Sequence, residues 1–576
     1  MKKFGKFMRG YKKECVIAPL FKMLEAFFDL LVPLVMAAII DKGIASGDSV
    51  YILKLCGVLI ALGIIGLLCS ITAQYFAAKA AVGFSTELRH ALFSHIQLLG
   101  FAEMDTVGTS TLITRMTSDI NQVQNGINMF LRLFLRSPFV VFGSMIMAFF
   151  ISRKAAWIFV VAIPLLAVVV FGIMLWTMPM YKKVQGGLDR VLGITRENLT
   201  GVRVVRAFHR EEAEKEQFCQ ANEELTRLQL AVGKISSVMN PVTYVIVNLA
   251  IIAILYQGAI QVNIGALQQG DVVALVNYMS QILVELVKLA NLIILVTKAI
   301  ACANRVQSVM DMDPEMEFGV ERVDIKEETE EAVAFEQVGF AYKGAGAESI
   351  SDINFCARKG ETIGVIGGTG SGKSTLISLI PRFYDATRGR VRIFGVDIKK
   401  YPKEQLRERI GVVQQKAQLF SGTIRSNLLW GNPDAQEEKL WEALRMAQAE
   451  EFVRGKKLGL DDPVEQEGRN LSGGQRQRLT IARALVAKPD ILILDDSASA
   501  LDFATDAALR KAIAALEGEM TVFIVSQRAS SLQHADRILV LDDGELCGIG
   551  THEELLEGCL VYREIYESQF KKAGEA

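Results

Sequence analysis

The sequence predicts a membrane all-α domain of six long helices fused to an α/β domain built around a phosphate loop. Three observations carry that prediction. Six apolar runs, each long enough at about 20 residues to cross a bilayer, occupy the chain up to about residue 300. Beyond them, short β-branched runs alternate with helical stretches, the pattern of parallel strands joined by crossover helices. Between one such run and a helix lies a complete G-x-x-x-x-G-K-S element. At 576 residues the chain also exceeds what one hydrophobic core organises.

From the amino terminus, Lys2, Lys3, Lys6, Arg9, Lys12 and Lys13 appear without an acid and interleave with Phe4, Phe7, Met8 and Tyr11 at helical spacing. A basic amphipathic segment of this kind belongs at the anionic cytoplasmic surface of a membrane. A cleaved signal fits poorly, because the next apolar run contains Lys22, Glu25 and Asp29 and no small-residue cleavage site stands out. The six runs lie near 16–40, 51–80, 128–151, 155–180, 238–262 and 270–298, and an even number returns the chain to its starting side. Links near 41–50, 152–154 and 263–269 are short. Those near 81–127 and 181–237 are long, helical in pattern and basic, with Arg89, Arg115, Lys182, Lys183, Arg190, Arg203, Arg206 and Arg210. Such links belong on the cytoplasmic side, so the helices extend beyond the bilayer.

Charges inside the spans are costly in lipid and should face protein or a water-filled cavity. Lys22, Glu25 and Asp29 share a helical face, Arg132 and Arg136 are one turn apart, and Glu285 and Lys288 can pair at i, i+3. Helix-to-helix pairing and contact with a transported molecule are both open for these groups, and none is assigned to substrate.

A net charge of −1 gives no sign of a nucleic-acid partner. Eight cysteines, scattered without a Cys-x-x-Cys pair or a nearby histidine, indicate neither a zinc site nor a disulfide framework. From 313 to 331 the chain turns acidic, with Pro314, Glu327, Glu328, Glu330 and Glu331, which reads as a linker between a membrane domain at 1–312 and a nucleotide-binding domain at 332–576. Strands are expected at 361–367, 491–495 and 521–526.

The phosphate loop is Gly367-Gly368-Thr369-Gly370-Ser371-Gly372-Lys373-Ser374, with Thr375 following on the helix. Its glycines let backbone N–H groups curl around phosphates, Lys373 reaches the β/γ oxygens and Ser374 offers a hydroxyl to Mg²⁺. A buried strand, Ile491-Leu492-Ile493-Leu494, ends in Asp495, placed to hold the magnesium ion. ATP and Mg²⁺ are therefore the expected cofactors.

Between these elements stands Leu471-Ser472-Gly473-Gly474-Gln475, which resembles the signature motif of ATP-binding cassette (ABC) proteins. The resemblance extends over the whole chain. Tyr342 resembles the aromatic that stacks on adenine, Gln415 in Val413-Gln414-Gln415 the glutamine that meets Mg²⁺ and the attacking water, and Ser499-Ala500-Leu501-Asp502 the D-loop. Six spans before one such domain resemble the exporter branch, whose coupling helices would fall near 105–115 and 199–210. Ser472 and the glycines at a helix start make a second anion site, able to complete a phosphate cage across a dimer.

Two departures bear on mechanism. Where the family places a glutamate that polarises the attacking water, this chain has Asp496, and where it has a switch histidine, Val525-Ser526-Gln527-Arg528 supplies Gln527. A carboxylate withdrawn by one methylene retreats by about 1 Å, and misplacement of that size costs on the order of 10²-fold in rate. Glutamine can donate a hydrogen bond but cannot carry charge or relay a proton. Together they resemble the degenerate half of bacterial heterodimeric exporters. The resemblance implies a translocase subunit in the bacterial inner membrane with its cassette in the cytoplasm. Ser472, Gly473, Gly474 and Gln475 would complete the competent site of a second half-transporter, and the cargo would be a small hydrophobic or amphipathic molecule. A homodimeric exporter with slow ATPase, or an ATP-gated channel or regulatory membrane protein, are the alternatives.

Overall fold

The computed structural model describes residues 2–314, 316–325, 329–497, 501–515 and 520–570. It divides into two compact units, Met1–Gln97 with Ser110–Met312, and Leu98–Thr109 with Asp313–Ala576.

The first unit is helical. Its helices are α1 (Lys12–Ala38), α2 (Ser49–Leu98), α4 (Thr109–Thr114), α5 (Ile120–Leu133), α6 (Arg136–Ile151), α7 (Arg153–Thr200), α8 (Val202–Ala207), α9 (Glu211–Asn263) and α10 (Gln269–Met310); α3 (Phe101–Val107) groups with the second unit. Among the described residues, six helical stretches are long and apolar enough to cross a membrane: Phe4–Ile44, Ser49–Leu98, Thr109–Ile151, Arg153–Thr200, Glu211–Asn263 and Gln269–Met310. Helices α2, α7 and α9 have 50, 48 and 53 residues. At about 1.5 Å per residue such helices reach roughly 70–80 Å, well past a hydrocarbon core of about 30 Å.

Without a hydrophobic effect between helices in lipid, close packing depends on small side chains. Ala18, Ala77 and Ala80 form one buried cluster, and Ala148, Ala155 and Ala156 join the largest apolar cluster of this unit. A Cβ on Gly126 would stand 2.3 Å from that of Ala299, so only glycine lets α5 and α10 approach this closely. The third span breaks between α5 and α6. Pro138 lacks an N–H and its ring crowds the carbonyl four residues back, which restarts the helix at Arg136.

The second unit holds two main sheets. Its strands are β1 (Glu331–Phe340), β2 (Ile350–Arg358), β3 (Thr362–Gly367), β4 (Arg388–Ile393), β5 (Val396–Asp397), β6 (Ile410–Val413), β7 (Gly422–Thr423), β8 (Pro463–Val464), β9 (Ile491–Asp495), β10 (Thr521–Val525), β11 (Arg537–Asp542) and β12 (Glu545–Gly550). One sheet has the order β2-β1-β4-β5 and the other β12-β11-β3-β10-β9-β6. Within the second, β11, β3, β10, β9 and β6 run parallel and β12 closes the edge antiparallel to β11. The parallel strands are apolar along their length because both faces are covered, with β10 buried at every position. The segment carrying α3 packs in this unit: Phe101 stacks on Phe383 with ring centres 4.4 Å apart, and the Tyr384 hydroxyl donates to Asp105 at 2.6 Å. Helix α3 thus begins before the stretch near 105–115, while α8 lies inside 199–210.

Candidate nucleotide site

A parallel sheet collects its strand ends along one edge, and register decides which ends meet. Strand β10 lies between β3 and β9, and Val525 pairs with Val365 on one side and Asp495 on the other. The strand ends carrying Gly367, Asp495 and Ser526 are thereby brought to one edge. Two further backbone bonds tighten it, from the Asp496 N–H to the Val525 carbonyl at 3.0 Å and from the Ser526 N–H to the Val365 carbonyl at 3.1 Å.

The loop from Gly367 to Gly372 needs glycine at three places, one of them Gly370 with φ +86°. A Cβ on Gly367 would lie 2.1 Å from the Leu541 carbonyl oxygen, so no side chain fits there. Gly372 has φ +91°, in the left-handed region, with Ile350 and Ser349 against its open side. Gly368, Thr369 and Gly370 are exposed, whereas Ser371 is buried. Lys373, only 8% exposed, opens the helix α11 (Lys373–Leu379). Its ammonium donates to the Gly367 carbonyl at 3.0 Å, the Gly368 carbonyl at 2.6 Å and the Ser371 hydroxyl at 3.4 Å.

Charge in this site is poorly solvated. Burial pushes the Lys373 pKa down, against the attraction of Asp496 and Asp495. Burial pushes the Asp495 pKa up, with the Asp496 charge adding to it and the Ser374 hydrogen bond and Lys373 opposing. Ser374 donates to Asp495 at 3.3 Å. A buried ammonium held by neutral oxygens fits a phosphate, and a desolvated carboxylate beside a hydroxyl fits a hard divalent cation. Among the described residues no group of three His, Cys, Asp or Glu gathers to hold a metal, so a cation here would draw its other ligands from phosphate and water.

The remaining predicted residues divide between this edge and two outlying positions. Gln415, just past β6, donates its amide to the Asp496 carboxylate at 3.2 Å. Asp496 itself sits at φ +43°, a left-handed position that aspartate tolerates better than most residues. Gln527 is exposed beyond β10. Tyr342 is exposed, its hydroxyl 3.1 Å from that of Thr375, its ring edge-on to Phe340 and Tyr384.

The signature residues lie at a separate helix start. Ser472 caps the helix Gly473–Val486: its hydroxyl accepts from the Gln475 N–H at 3.3 Å, and the Gln475 amide oxygen accepts from the Ser472 N–H at 3.0 Å. This reciprocal cap leaves Ser472 and Gly473 exposed at the positive end of a 14-residue helix. Gly474 is part-buried beside them. Asp502 caps the helix Phe503–Ala514, and the Thr505 N–H and hydroxyl hold its pKa below the usual carboxylate range. Ser499 and Ala500 lie outside the described residues.

Two residues at this edge carry no sequence signal. Gln569, on the carboxy-terminal helix, donates to the Gln527 carbonyl at 2.8 Å and accepts from the Ala529 N–H at 2.9 Å, clamping the loop that carries Gln527. Tyr384 connects Tyr342 to Asp105. Neither stands in a motif; each acts through a contact distant in sequence.

Comparison with known proteins agrees with this architecture. Residues 15–286 match the ABC transporter transmembrane region and residues 350–499 the ABC transporter domain. An uncharacterised ABC transporter ATP-binding protein of Mycobacterium tuberculosis is 37% identical over 98% of this chain and 97% of its own length. Another, from Bacillus subtilis, is 36% identical over 100% and 99%. An ATP-dependent lipid A-core flippase of Vibrio vulnificus is 28% identical over 99% and 97%. A bacterial Atm1-family ABC exporter, solved with ATP bound, shares the fold with a TM-score of 0.79 at 22% identity, over 97% of this chain and 98% of that one. With its two matched regions and full-length relatives, the chain belongs to the ABC transporter family: a multi-pass membrane protein of the exporter fold, which works as a dimer and couples ATP hydrolysis to transport.

Proposed function

We propose that the chain is the degenerate-site half of a heterodimeric bacterial exporter, moving an amphipathic molecule out across the inner membrane. The observation that carries this reading is Asp496. Its short carboxylate stands where the family has glutamate, and Gln415 holds it at 3.2 Å, while Gln527 replaces the switch histidine. In this reading residues 1–312 form the membrane domain, 313–331 the linker and 332–576 the cytoplasmic cassette. Tyr342, Gly367 through Ser374 and Thr375 bind ATP, and Ser374, Asp495 and Gln415 hold Mg²⁺, which when bound neutralises phosphate charge. Binding is retained and hydrolysis at this site is slow. Ser472, Gly473, Gly474, Gln475 and Asp502 face the nucleotide bound by the partner subunit. The lipid cargo named for the Vibrio vulnificus relative supports an amphipathic substrate here.

The test is steady-state ATPase and transport by the reconstituted pair carrying Lys373→Ala or Ser472→Ala. Lys373→Ala removes a charge-assisted phosphate contact worth about 1.5–3 kcal/mol from a site already slow at chemistry, so turnover falls only partly. Ser472→Ala damages the wall of the partner's working site and abolishes most turnover. If instead Lys373→Ala abolishes both activities and Ser472→Ala is mild, this chain houses the working site. Active transporter containing only this chain would establish the homodimer.

A further inference from the structure

The first unit contains a charged cluster that no motif explains. Arg136 is its hub, contacting Glu285 at 2.6 Å, Asp29 at 3.0 Å and Glu25 at 3.9 Å. Lys288 pairs with Glu285 at 2.9 Å and Lys22 with Glu25 at 2.6 Å. Ser137 donates to the second Glu285 oxygen at 2.8 Å. The cluster joins α1, α6 and α10, with three cations against three acids.

Its members are not equally enclosed. The Glu285 and Arg136 side chains are 6% and 13% exposed, whereas those of Asp29 and Lys288 are both 43% exposed. These two open onto a cavity of about 410 Å³ bordered also by Arg136, Asn277, Gln281 and Glu285. That volume lies within the roughly 300–1,000 Å³ of small-ligand sites. The Gln281 amide oxygen is sheltered there with no hydrogen-bond donor. On the other side of Asp29 and Val32 runs a groove of about 520 Å³ between α1 and α2, lined by Phe28, Leu59, Leu62 and Leu67 and bordered by Glu25 and Ser70.

A purely structural ion network would satisfy its charges and close over them, since each exposed charge in a membrane is costly. Here the inner pair is closed, while Asp29, paired with Arg136, and Lys288, paired with Glu285, each keep part of the side chain open to a cavity beside an unmet acceptor. We propose that this is the head-group site for a zwitterionic amphiphile: Asp29 and Gln281 meet its ammonium, Lys288 meets its anionic group, and the α1–α2 groove takes its alkyl chain. The inner Arg136–Glu285 pair holds the two recognition charges apart. This deepens the reading of the chain as an exporter of an amphipathic molecule and rests on it.

The experiment uses the full-length chain reconstituted with its partner subunit in a non-ionic detergent and three probes with the same short alkyl chain, carrying a phosphoethanolamine, a methyl phosphate or an ammonium head. Calorimetric titration should give at least about tenfold tighter binding of the phosphoethanolamine probe, one charge-assisted contact being lost with either other head. Asp29→Asn should weaken the phosphoethanolamine and ammonium probes about tenfold and spare the methyl phosphate probe. Lys288→Gln should weaken the phosphoethanolamine and methyl phosphate probes and spare the ammonium probe. Asp29→Glu and Lys288→Arg, which keep the charges, should restore preference and control for folding. Equal binding of all three heads, or variants that shift all three alike, would overturn the site. ATPase and ATP-driven transport in the same preparations separate the two readings. Head-group selectivity without either activity refutes the exporter role and leaves the site standing, and ATP-driven transport of another cargo without selectivity does the reverse.

Discussion

Lys373 and Arg136 are both cations with little exposure, yet their surroundings differ in kind. Arg136 is met by Glu285 and Asp29 at hydrogen-bonding distance and by Glu25 further off. Lys373 is met by two carbonyls and a hydroxyl, with Asp495 and Asp496 acting on it only through their fields. A buried charge balanced by its own chain is complete at rest, whereas a buried charge held by neutral dipoles is complete only with a ligand of opposite sign. Lys373 is thus part of a site awaiting phosphate, and Arg136 is scaffold for the charges that flank it.

The comparison breaks first at Arg136. Arg136→Met strands Asp29 without its ion-pair partner and leaves Glu285 with Lys288 and Ser137 alone. Breaking a buried pair costs about 3–5 kcal/mol, and the surviving contacts place this substitution toward the lower end. The thermal midpoint of the purified protein, followed by intrinsic fluorescence, should fall markedly. An unchanged midpoint would show that the cluster is solvated and not structural.

The same operation at Lys373 should have the opposite sign. Burial already lowers the Lys373 pKa, so its charged form is disfavoured in the nucleotide-free fold. Lys373→Met should leave the midpoint of the nucleotide-free protein unchanged or raise it. It should also weaken ATP binding by about 1.5–3 kcal/mol, roughly ten- to hundredfold, in a fluorescent-nucleotide titration. A midpoint that falls as far as for Arg136→Met would erase the distinction.

The two regions were also unequally legible. The phosphate site announces itself because its chemistry is local: the loop and Lys373 are consecutive, and strand ends in parallel register bring Asp495 and Gly367 together wherever the strands are recognised. Ser472 and Gln475 spell a capping box three residues apart. The i, i+3 pairs Lys22–Glu25 and Glu285–Lys288 were equally plain. Nothing in sequence reveals that Arg136 bridges Asp29 and Glu285, residues 107 and 149 positions away, because the pairing depends on which helix faces turn toward each other. Gln569 and Tyr384 were hidden for the same reason.

Asp496 sharpens the comparison at its smallest scale, since it combines a shortened side chain with an unusual backbone. At φ +43° a residue with a longer side chain is strained, and aspartate is among the few that adopt this region readily. The carboxylate also accepts from Gln415, which fixes its direction. Asp496→Glu restores the missing methylene while keeping the charge near Lys373. Its cost in stability should be about 1 kcal/mol, the scale of placing a less tolerant residue in the left-handed region. Its effect on chemistry should run the other way. If reach is what this site lacks, Asp496→Glu raises nucleotide turnover at this chain's own site, read in a pair whose partner site is disabled. Full recovery is not expected, because Gln527 still cannot carry the charge of a histidine, and adding Gln527→His should raise turnover further. A pair in which neither change raises turnover would show that slow chemistry here has another origin, and the degenerate-site reading of Asp496 and Gln527 would fall.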